Sequence, residues 1–415
     1  MNMISGIDIG NGYVKGKIQA ESGQIASISI PSDVAYVTTS YDTKVPMSEV
    51  QGVMDDIYNQ LDASFETPLV PDGMRRLFGT RGLHSGKSIE EFDVYSSMSK
   101  AQQPLSAILS LGCIAASALA DYWNTNKSLP TSVLKVNVTV AAFALPIAEY
   151  MKYKFMFADG YKSSKHIVNI YNFEQLVTVE ISFSNVQVVA EGTAAYYAIK
   201  ANGEDLMELM LADARAVGSE VEGIGAEDVL KDITAKDVLA AGNIVGIDIG
   251  EGTVNFPVIQ NERFNADASF TFTQGYGSVL NRALDRLKDQ GFPFRSRKDL
   301  QDFLNNPSAL NRSRYQAVQT IVDEEIIAFA NEIALNFSKA VNRVGAYVEV
   351  VYVYGGGATP VKFCLQRLLV EKAKSFGGGN SMLCPILYLD SEYSRFLNRE
   401  GLFIVAQKIA SMTNK

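Results

Sequence analysis

The chain has 415 residues, a length that predicts two domains, each large enough to bury its own core. Hydrophobic residues make up 47% of it and charged residues 20%, which excludes a disordered or fibrous protein. The formal net charge of −9 excludes a broad basic face, so we expect no direct binding of nucleic acid.

The cysteines and the N-terminus both indicate a cytoplasmic protein. Cys113, Cys364 and Cys384 are odd in number and lack metal-ligand spacing, which is typical of a reducing compartment. With only two histidines in the chain, we expect no zinc site. The N-terminus has no basic region followed by a long apolar stretch, so it does not resemble a secretory signal.

The first predicted element is a β-hairpin, Gly6-Ile-Asp-Ile-Gly-Asn-Gly-Tyr-Val-Lys15. Glycines at positions 10 and 12 permit positive φ and carry no Cβ atom, so backbone N–H groups can close around phosphate oxygens. Asp8 ends the first strand, where a carboxylate can hold Mg²⁺ through its waters.

Further along the chain, strand and helix patterns alternate, as in a layered α/β lobe. We predict a strand over residues 25–37, a helix over 105–123 and a strand over 134–145, and we leave 38–100 unassigned. The apolar stretch 105–120 is shorter than the roughly 18 to 20 residues of a membrane-spanning helix and contains serines. We therefore expect a buried core helix.

Residues 177–189 alternate strongly between apolar and polar side chains and predict a strand. The run Val188-Val-Ala-Glu-Gly-Thr-Ala-Ala-Tyr-Tyr-Ala198 follows at once and places Glu191 at a strand-to-helix junction. Residues 203–242 are acidic and have helical spacing, which predicts lobe surface or a helical insertion.

The first hairpin then returns as Gly246-Ile-Asp-Ile-Gly-Glu-Gly-Thr-Val-Asn255, identical at seven of ten positions. A single copy is equally well explained as a tight hairpin. A recurrence 240 residues later indicates a duplicated lobe with a ligand between the halves. Two other phosphate motifs fail: residues 82–88 are one residue short of a Walker A loop, and neither hairpin has the third glycine of a dinucleotide fold.

Four more elements follow the second hairpin. Residues 270–274 predict a strand, and Gly275-Tyr-Gly-Ser278 predicts the cap of a helix over 279–289. A long amphipathic helix over 316–344 leads into a buried strand over 347–354 and the turn Gly355-Gly-Gly-Ala-Thr-Pro360. The segment 395–406 turns into a last helix.

Five of these segments, in this order, resemble the nucleotide site of the actin/Hsp70 superfamily. They are the first phosphate loop (8–15), the first connecting segment (188–198), the second phosphate loop (248–255), the adenosine strand and turn (350–360) and the second connecting helix (398–406). Asp-Ile-Gly-Asn-Gly-Tyr-Val-Lys at 8–15, Phe-Ala-Leu-Pro-Ile at 143–147 and Tyr-Val-Tyr-Gly-Gly-Gly at 352–357 are most similar to the plasmid-segregation actins of the ParM/StbA type.

The resemblance implies an α/β, two-lobed actin-like ATPase fold, built from duplicated RNase H-like lobes with a nucleotide cleft between them. Residues 1–190 would form lobe I and residues 191–394 lobe II. Residues 395–415 would form a C-terminal helix that returns to lobe I. The stretch between Glu191 and Asp248 is longer than in this family, which puts subunit contacts in doubt.

The resemblance also assigns roles to residues. Glu191 would orient or deprotonate the attacking water, Asp248 would join it in catalysis, and Asp8 with Asp248 would hold Mg²⁺. The nucleotide, ATP or GTP, would be bound by these residues: Asp8, Gly10, Asn11, Gly12, Tyr13, Lys15, Gly250, Glu251, Gly252, Thr253, Gly355, Gly356 and Gly357. From the residues alone, Glu191 is also explained as an acid at a helix N-terminus, Lys15 as a solvated strand-end lysine, and the three glycines as a plain strand-to-helix turn.

The implied function is that of a cytomotive ATPase or GTPase, which assembles with itself into dynamic filaments and moves plasmid DNA through an adaptor protein bound to centromere-like DNA. We expect no membrane partner, because the last helix lacks a face rich in lysine and arginine. A sugar or acid kinase of the same fold is the alternative. An Hsp70-type chaperone is disfavoured, because only a short tail follows the last segment.

Overall fold

The structure is a computed structural model, which describes residues 1–38, 44–93, 96, 98–220, 230–345, 347–377, 383–389 and 391–413. The chain divides into two compact units. Unit 1 comprises Met1–Ala198 and Asn398–Lys415, and unit 2 comprises Ile199–Leu397. The sequence placed these boundaries after residues 190 and 394, a few residues earlier in each case.

Unit 1 is built on one mixed sheet. Its described strands are β1 Asn2–Ile9, β2 Tyr13–Ala20, β3 Ile25–Pro31, β4 Val34–Val37, β5 Asp62–Glu66, β6 Arg75–Leu77, β7 Ile89–Glu90, β8 Leu134–Leu145, β9 His166–Ile170, β10 Val177–Phe183 and β11 Val186–Ala190. Its described α-helices are α1 Val50–Met54, α2 Ile57–Gln60, α3 Gly79–His84, α4 Pro104–Asn126, α5 Ile147–Lys162 and the start of α6 Thr193–Asn202.

Strand β1 lies at the centre of the part of this sheet that carries the first hairpin. It pairs antiparallel with β2, which pairs with β3, and on its other edge it pairs parallel with β8. The far edge of β8 pairs parallel with β10 and then with β11. Strands β9, β5, β6, β4 and β7 extend the sheet beyond β10.

Unit 2 carries a second sheet. Its described strands are β12 Ile244–Ile249, β13 Val254–Phe256, β14 Val258–Gln260, β15 Arg263–Phe264, β16 Phe270–Phe272, β17 Val350–Tyr354 and β18 Ile386–Tyr388. Its described α-helices are α7 Glu204–Glu220, α8 Ala235–Ala240, α9 Tyr276–Asp289, α10 Arg297–Asn305, α11 Arg312–Val344, α12 Ala358–Gly377 and α13 Ser391–Ser394, and α14 Leu397–Thr413 then passes back to unit 1.

Strand β12 occupies in unit 2 the place that β1 occupies in unit 1. Both β13 and β14 pair antiparallel with one edge of β12, and Pro257 separates them, since proline has no N–H group for the ladder. The other edge of β12 pairs parallel with β17, which pairs parallel with β18. A hairpin, a central strand and two parallel strands thus recur in the same order, as the repeat predicts.

Helix α4 forms much of the core of unit 1. It begins with a proline at its first position and carries 17 buried residues, including three serines. The hydroxyls of Ser110 and Ser117 donate to carbonyls one turn back, and that of Ser106 donates to the carbonyl of Lys100 ahead of the helix. Among the described helices it alone has the length and hydropathy to cross a membrane, but 89% of its most apolar window is buried in the protein. A core helix passes the same test, so we assign it to the core, as predicted.

The last helix, α14, packs on unit 1. Its apolar face, with Leu402, Ala406 and Ala410, shares a cluster with alternate residues of β8. A side chain at Gly6 would collide with the backbone of Phe403, so the first glycine of the repeat lets the helix lie directly on β1. The C-terminal helix is thus packed on the same unit as strands β1 and β8.

Several predicted elements differ from the structure. The strand predicted over 25–37 is two strands, β3 and β4, because Ser32 and Asp33 break it and β4 pairs elsewhere. The strand over 177–189 is likewise broken, between β10 and β11. Helix α9 begins three residues earlier than predicted, and its Ser278 hydroxyl bonds to the carbonyl of Gly275 instead of capping N–H groups. The predicted helical segment 203–242 contains α7 and α8, with residues 221–229 outside the described part.

Candidate functional site

The first phosphate loop is a tight turn fixed from beneath by one buried serine. The N–H of Gly10 donates to the carbonyl oxygen of Tyr13 at 3.0 Å. The hydroxyl of Ser32 donates to the carbonyl of Gly10 at 2.6 Å, and the N–H of Ser32 donates to the carbonyl of Gly12 at 3.0 Å. Both glycine carbonyls are therefore held by the protein, and the turn cannot rearrange without losing these bonds.

The second phosphate loop has the same turn but a different support. The N–H of Gly250 donates to the carbonyl of Thr253 at 2.9 Å. The carbonyls of Gly250 and Glu251 accept from the first N–H groups of helix α9, those of Tyr276 at 2.9 Å and Gly277 at 2.8 Å. A helix N-terminus, whose first N–H groups have no partner within the helix, fixes this loop.

The loop glycines are needed for close approach and not for positive φ. A Cβ atom at Gly10 would lie 2.6 Å from the carbonyl oxygen of Tyr13, and one at Gly250 would lie 3.1 Å from that of Thr253. Neither glycine is among the described residues with positive φ. The φ argument from the sequence was therefore wrong for these two positions, and the missing Cβ atom serves the close contact within the turn.

The two aspartates of the repeat occupy equivalent and buried positions. Asp8 is paired across the hairpin with Lys15, and Asp248 with Asn255. Their side chains are 9% and 6% exposed. Each lies near the carboxyl end of a central strand beside a parallel neighbour, the edge where open α/β sheets bind ligands.

Electrostatics around Asp8 oppose its ionisation in the absence of a ligand. Burial raises the pKa of the Asp8 carboxyl group, Lys15 lowers it, Glu191 raises it further and Lys100 lowers it, for a net increase. Beside Asp248, burial and then this carboxylate raise the pKa of the Tyr354 hydroxyl. A cation bound at either carboxylate would favour its charged form.

Glu191 lies in the turn that joins β11 to α6. Gly192 takes a positive φ of 82°, and the N–H of Glu191 donates to the carbonyl of Leu145 at 2.7 Å. Its side chain is only 11% exposed and accepts a hydrogen bond from the ammonium group of Lys100 at 2.8 Å. The sequence predicted the strand-to-helix junction but not the buried ion pair.

Lys100 brings a second acid to this site. The backbone N–H groups of Lys100 and Ala101 donate to the two carboxylate oxygens of Glu149 at 3.1 and 3.0 Å. Burial lowers the pKa of Lys100, but the carboxylates of Glu191 and Asp8 outweigh that effect and hold it above its ordinary value. Burial also raises the pKa of Glu149. Asp8, Lys15, Lys100, Glu149 and Glu191, which we call the charged cluster, thus interact at one edge of the sheet.

The adenosine turn is packed against the end of β12. Gly355 has a φ of 100° and donates its N–H to the hydroxyl of Ser394 at 2.8 Å, and a Cβ atom there would collide with the carbonyl of Ile249. The N–H of Gly357 donates to the same carbonyl at 2.8 Å. Gly356 is exposed, with open space where a side chain would stand. Packing against Ile249 therefore leaves no room for a side chain at Gly355 or Gly357, whereas a side chain at Gly356 would meet open space.

The other residues predicted to bind nucleotide lie in or beside the turns. Tyr13 is 47% exposed, and the carboxylate of Glu251 pairs with the guanidinium of Arg297 at 2.9 Å. The partly exposed remainder comprises Asn11, Gly12, Lys15, Gly252 and Thr253. Within the described ranges, no group of three or more histidine, cysteine, aspartate or glutamate side chains is placed to hold a metal ion without a ligand's help.

Lys100, Glu149 and Ser32 are the members of the site that the sequence did not reveal. Lys100 and Glu191 are 91 positions apart, and no local pattern predicts their contact. One signal was present: Ser99 and Gln102 form a capping box ahead of Pro104, which marks a helix start and fixes where Lys100 lies.

No protein-family model matches the chain, and no curated protein matches it significantly. Among solved structures, the actin-like protein Alp7A is similar over 100% of this chain and 99% of its own, with a TM-score of 0.64 and 15% identity. Bacillus thuringiensis ParM with ADP is similar over 98% of this chain and 99% of its own, with a TM-score of 0.60 and 15% identity. The archaeal actin homologue Ta0583 is similar over 98% of this chain and 99% of its own, with a TM-score of 0.60 and 13% identity. The predicted fold is confirmed: the chain has the two-lobed actin-like α/β fold.

Proposed function

We propose that this protein is an actin-like nucleoside triphosphatase that assembles into dynamic filaments on binding ATP or GTP, and that these filaments serve plasmid segregation. One observation carries the proposal. The hairpin repeated in the sequence contains the central strand of each sheet, and each central strand has a parallel neighbour on its other edge and a buried aspartate near its end. The similar ParM structures contain ADP, ATP or AMPPNP, which supports ATP as the first nucleotide to test.

In this proposal the phosphates are bound by backbone N–H groups of residues 11–13 and 251–253, because those of Gly10 and Gly250 already donate within their own turns. The turns are fixed by Ser32 in one unit and by helix α9 in the other. Preorganised donors need little rearrangement when charge develops on the transferring phosphoryl group, and catalysis of phosphoryl transfer consists mostly of such positioning.

Asp8 and Asp248 fit a magnesium ion that arrives with the nucleotide. Mg²⁺ keeps several waters and takes one or two carboxylates together with phosphate oxygens, so it needs no cage of three or more side chains. Burial raises the pKa of Asp8 although Lys15 and Lys100 act against it, so its negative charge is only partly compensated, and a divalent cation would compensate it further. When bound, the ion would neutralise phosphate charge.

Glu191 orients or deprotonates the attacking water, and the ammonium group of Lys100 fixes the side chain of Glu191. The ion pair at 2.8 Å fixes the side chain, while the bond from the N–H of Glu191 to Leu145 fixes its backbone. A carboxylate is a weak base but a good orienter of water, so we expect modest turnover. Lys100 is thus a positioning residue for Glu191.

The proposed partners follow from the proposed filament function. Filaments form from copies of this chain, and cargo DNA is attached by an adaptor protein, since a chain of net charge −9 repels the phosphate backbone as a whole. The protein acts in the cytoplasm.

Right-angle light scattering with parallel phosphate release tests the proposal. On adding Mg-ATP or Mg-GTP to the purified protein, we expect scattering to rise and then decay as phosphate appears. In Glu191→Gln, hydrolysis falls by about 10² to 10⁴-fold while assembly persists, because the substitution removes the carboxylate charge and keeps its size. Nucleotide binding without assembly at any protein concentration would contradict the filament proposal and favour a small-molecule kinase.

A further inference from the structure

Unit 2 carries a basic surface on an otherwise acidic chain. Residues 292–315, which we call the basic outcrop, comprise the loop before α10, α10 itself, and the turn into α11. They contain five arginines and lysines and two aspartates, a surplus of three positive charges in a chain of net charge −9. This segment therefore favours anionic partners, unlike the chain as a whole.

Most of these cations are not neutralised within the described part of the chain. Arg297 pairs with Glu251 of the second phosphate loop at 2.9 Å. The other four are exposed and form no ion pair with any described residue. They are Arg295, Lys298, Arg312 and Arg314. Unpaired charges on an exposed surface steer and orient a partner of opposite charge.

The apolar residues of the outcrop favour a protein partner over a nucleic acid. Leu310 is 96% exposed, on a single 3₁₀ turn between α10 and α11. Phe294 and Phe303 pack edge to face at 5.2 Å, and the guanidinium of Arg314 lies 5.7 and 5.5 Å from their centroids. Because these rings pack on one another and on Arg314, they are not open platforms on which bases could stack.

Unit 1 carries an acidic surface whose charge is opposite to that of the basic outcrop. Residues 47–56, which we call the acidic segment, contain no arginine or lysine. Glu49, Asp55 and Asp56 are exposed there and form no ion pair in the described part of the chain. Met47 is 57% exposed beside them. An exposed apolar side chain among unpaired acids complements an exposed leucine among unpaired cations.

The acidic segment lies far from the charged cluster within unit 1. The indole N–H of Trp123, near the end of α4, donates to Gln51 at 3.0 Å. The opposite end of α4 follows Lys100, and 23 residues of helix span about 34 Å. Substitutions in the acidic segment are therefore expected to leave nucleotide binding intact.

We propose that the basic outcrop of one copy docks on the acidic segment of a second copy of this chain. The inference rests on the proposed function, which it deepens by naming the self-assembly surfaces. Two different surfaces make a heterologous contact, which leaves an unused surface at each end and propagates into a filament unless a ring closes.

Charge reversal on each surface tests the proposal by sedimentation with Mg-ATP. Arg312→Glu/Arg314→Glu and Asp55→Lys/Asp56→Lys are each expected to raise the critical concentration about tenfold or more, because like charges then face each other. An equimolar mixture of the two variants should assemble again, since each supplies the surface that the other lacks. Lys231→Glu/Arg263→Glu, which makes the same charge change elsewhere in unit 2, should assemble like the wild type.

The outcomes separate the two proposals. If the wild type never assembles, the proposed function fails and this inference with it. If the wild type assembles and both charge-reversed variants assemble equally well, the inference is overturned while the proposed function stands. Loss of binding to a single-stranded oligonucleotide in Arg312→Glu/Arg314→Glu, with assembly unchanged, would overturn it in favour of a nucleic-acid surface. Failure of the mixture to assemble would also overturn it.

Discussion

The two phosphate loops share seven of ten residues and the same turn, yet their surroundings differ in kind. The first is surrounded by ionisable side chains, with Lys100 and Glu191 in a buried ion pair close enough to shift the pKa of Asp8. The second has a partly exposed ion pair between Glu251 and Arg297 and is otherwise packed against backbone, namely the N-terminus of α9 and the glycines of the adenosine turn. The repeat fixes the geometry of the turn, and the neighbouring elements decide its chemistry.

A single repeated glycine illustrates the same lesson. A Cβ atom at Gly6 would collide with the backbone of Phe403 in helix α14, whereas one at Gly246 would lie 2.7 Å from the ring of Pro257 and 2.7 Å from the hydroxyl of Tyr354. The two copies need glycine for contacts that have nothing in common. Identity between two copies of a motif is therefore no proof that each residue does the same work in both.

The largest effect is expected from breaking the charged cluster beside the first loop. Lys100→Met leaves the buried acids Asp8, Glu149 and Glu191 without this cation and should destabilise the protein by about 3 to 5 kcal/mol, measured by denaturant unfolding. Hydrolysis should fall as well, because Glu191 loses its positioning partner.

Two controls separate charge from packing at this position. Lys15→Met, at a half-buried lysine of the same cluster, should cost less. Adding Glu191→Gln to Lys100→Met should recover about 1 to 3 kcal/mol, because the double variant no longer buries the charge of Glu191 without the ammonium group of Lys100. A double variant no more stable than Lys100→Met would show that the ion pair does not account for the loss.

The next effect tests the packed surroundings of the second loop. Gly355→Ala forces a side chain onto a backbone with a φ of 100° and against the carbonyl of Ile249, so we expect a loss of about 2 to 4 kcal/mol. Calorimetry should show a lowered unfolding transition. Gly356→Ala is the matched control, since its side chain would meet open space, and should change stability by less than about 1 kcal/mol. Equal losses in both would contradict the packing argument.

A smaller loss is expected at the serine that supports the first loop. Ser32→Ala removes the bond of 2.6 Å to the carbonyl of Gly10 and should cost about 1 to 3 kcal/mol, because the site is fully buried. Ser29→Ala, on the exposed side of the preceding strand β3, should stay within about 0.5 kcal/mol. If Ser32→Ala also stayed within that range, the hydroxyl would not be what fixes the loop.

The smallest effect is a pH dependence confined to unit 1, which holds both histidines. Nε2 of His166 lies 2.9 Å from the carbonyl of Tyr161, an acceptor, so it carries the proton and Nδ1 accepts from the hydroxyl of Thr67. Burial lowers the pKa of His166, and the bond to Tyr161 opposes this only in part.

The direction of the pH dependence follows from which state, folded or unfolded, binds the proton of His166 more tightly. From the ordinary pKa of about 6.5 down to the lower native value, the unfolded state binds more protons, so stability falls as pH falls, by up to about 1.4 kcal/mol per pH unit. His166→Gln should remove this slope, and His84→Gln, at an exposed residue, should keep it. Unfolding curves at pH 5 to 8 measure both, and an unchanged slope in His166→Gln would contradict the assignment.

Local pattern predicted those parts of the fold that local pattern determines. The strand Leu134–Leu145 was predicted residue for residue, because its alternation is bounded by Pro146. The long helix was predicted from 316 and begins at 312, an ordinary error at a helix end without a strong cap. Helix α5 and strands β5 to β7 were not predicted, since their short or weakly periodic segments are stabilised by distant partners, such as β9 for β5.

At the site, too, local motifs were predictable from the sequence and contacts between distant residues were not. The turns, the aspartates and the junction at Glu191 follow from a repeated local motif. The partners Lys100, Ser32 and Arg297 do not, because each is brought to the loop by packing of segments far along the chain. Sequence reasoning thus identified the backbone that would bind phosphate and missed the side chains that support it.

Calorimetric titration with Mg-AMPPNP, which resists hydrolysis, tests most directly whether both loops hold the phosphates of one nucleotide. We predict one nucleotide per chain, and a loss of affinity of about tenfold or more in each of Asp8→Asn and Asp248→Asn when Mg²⁺ is present. Two nucleotides per chain, or binding unchanged in either variant, would contradict the shared role of the two loops.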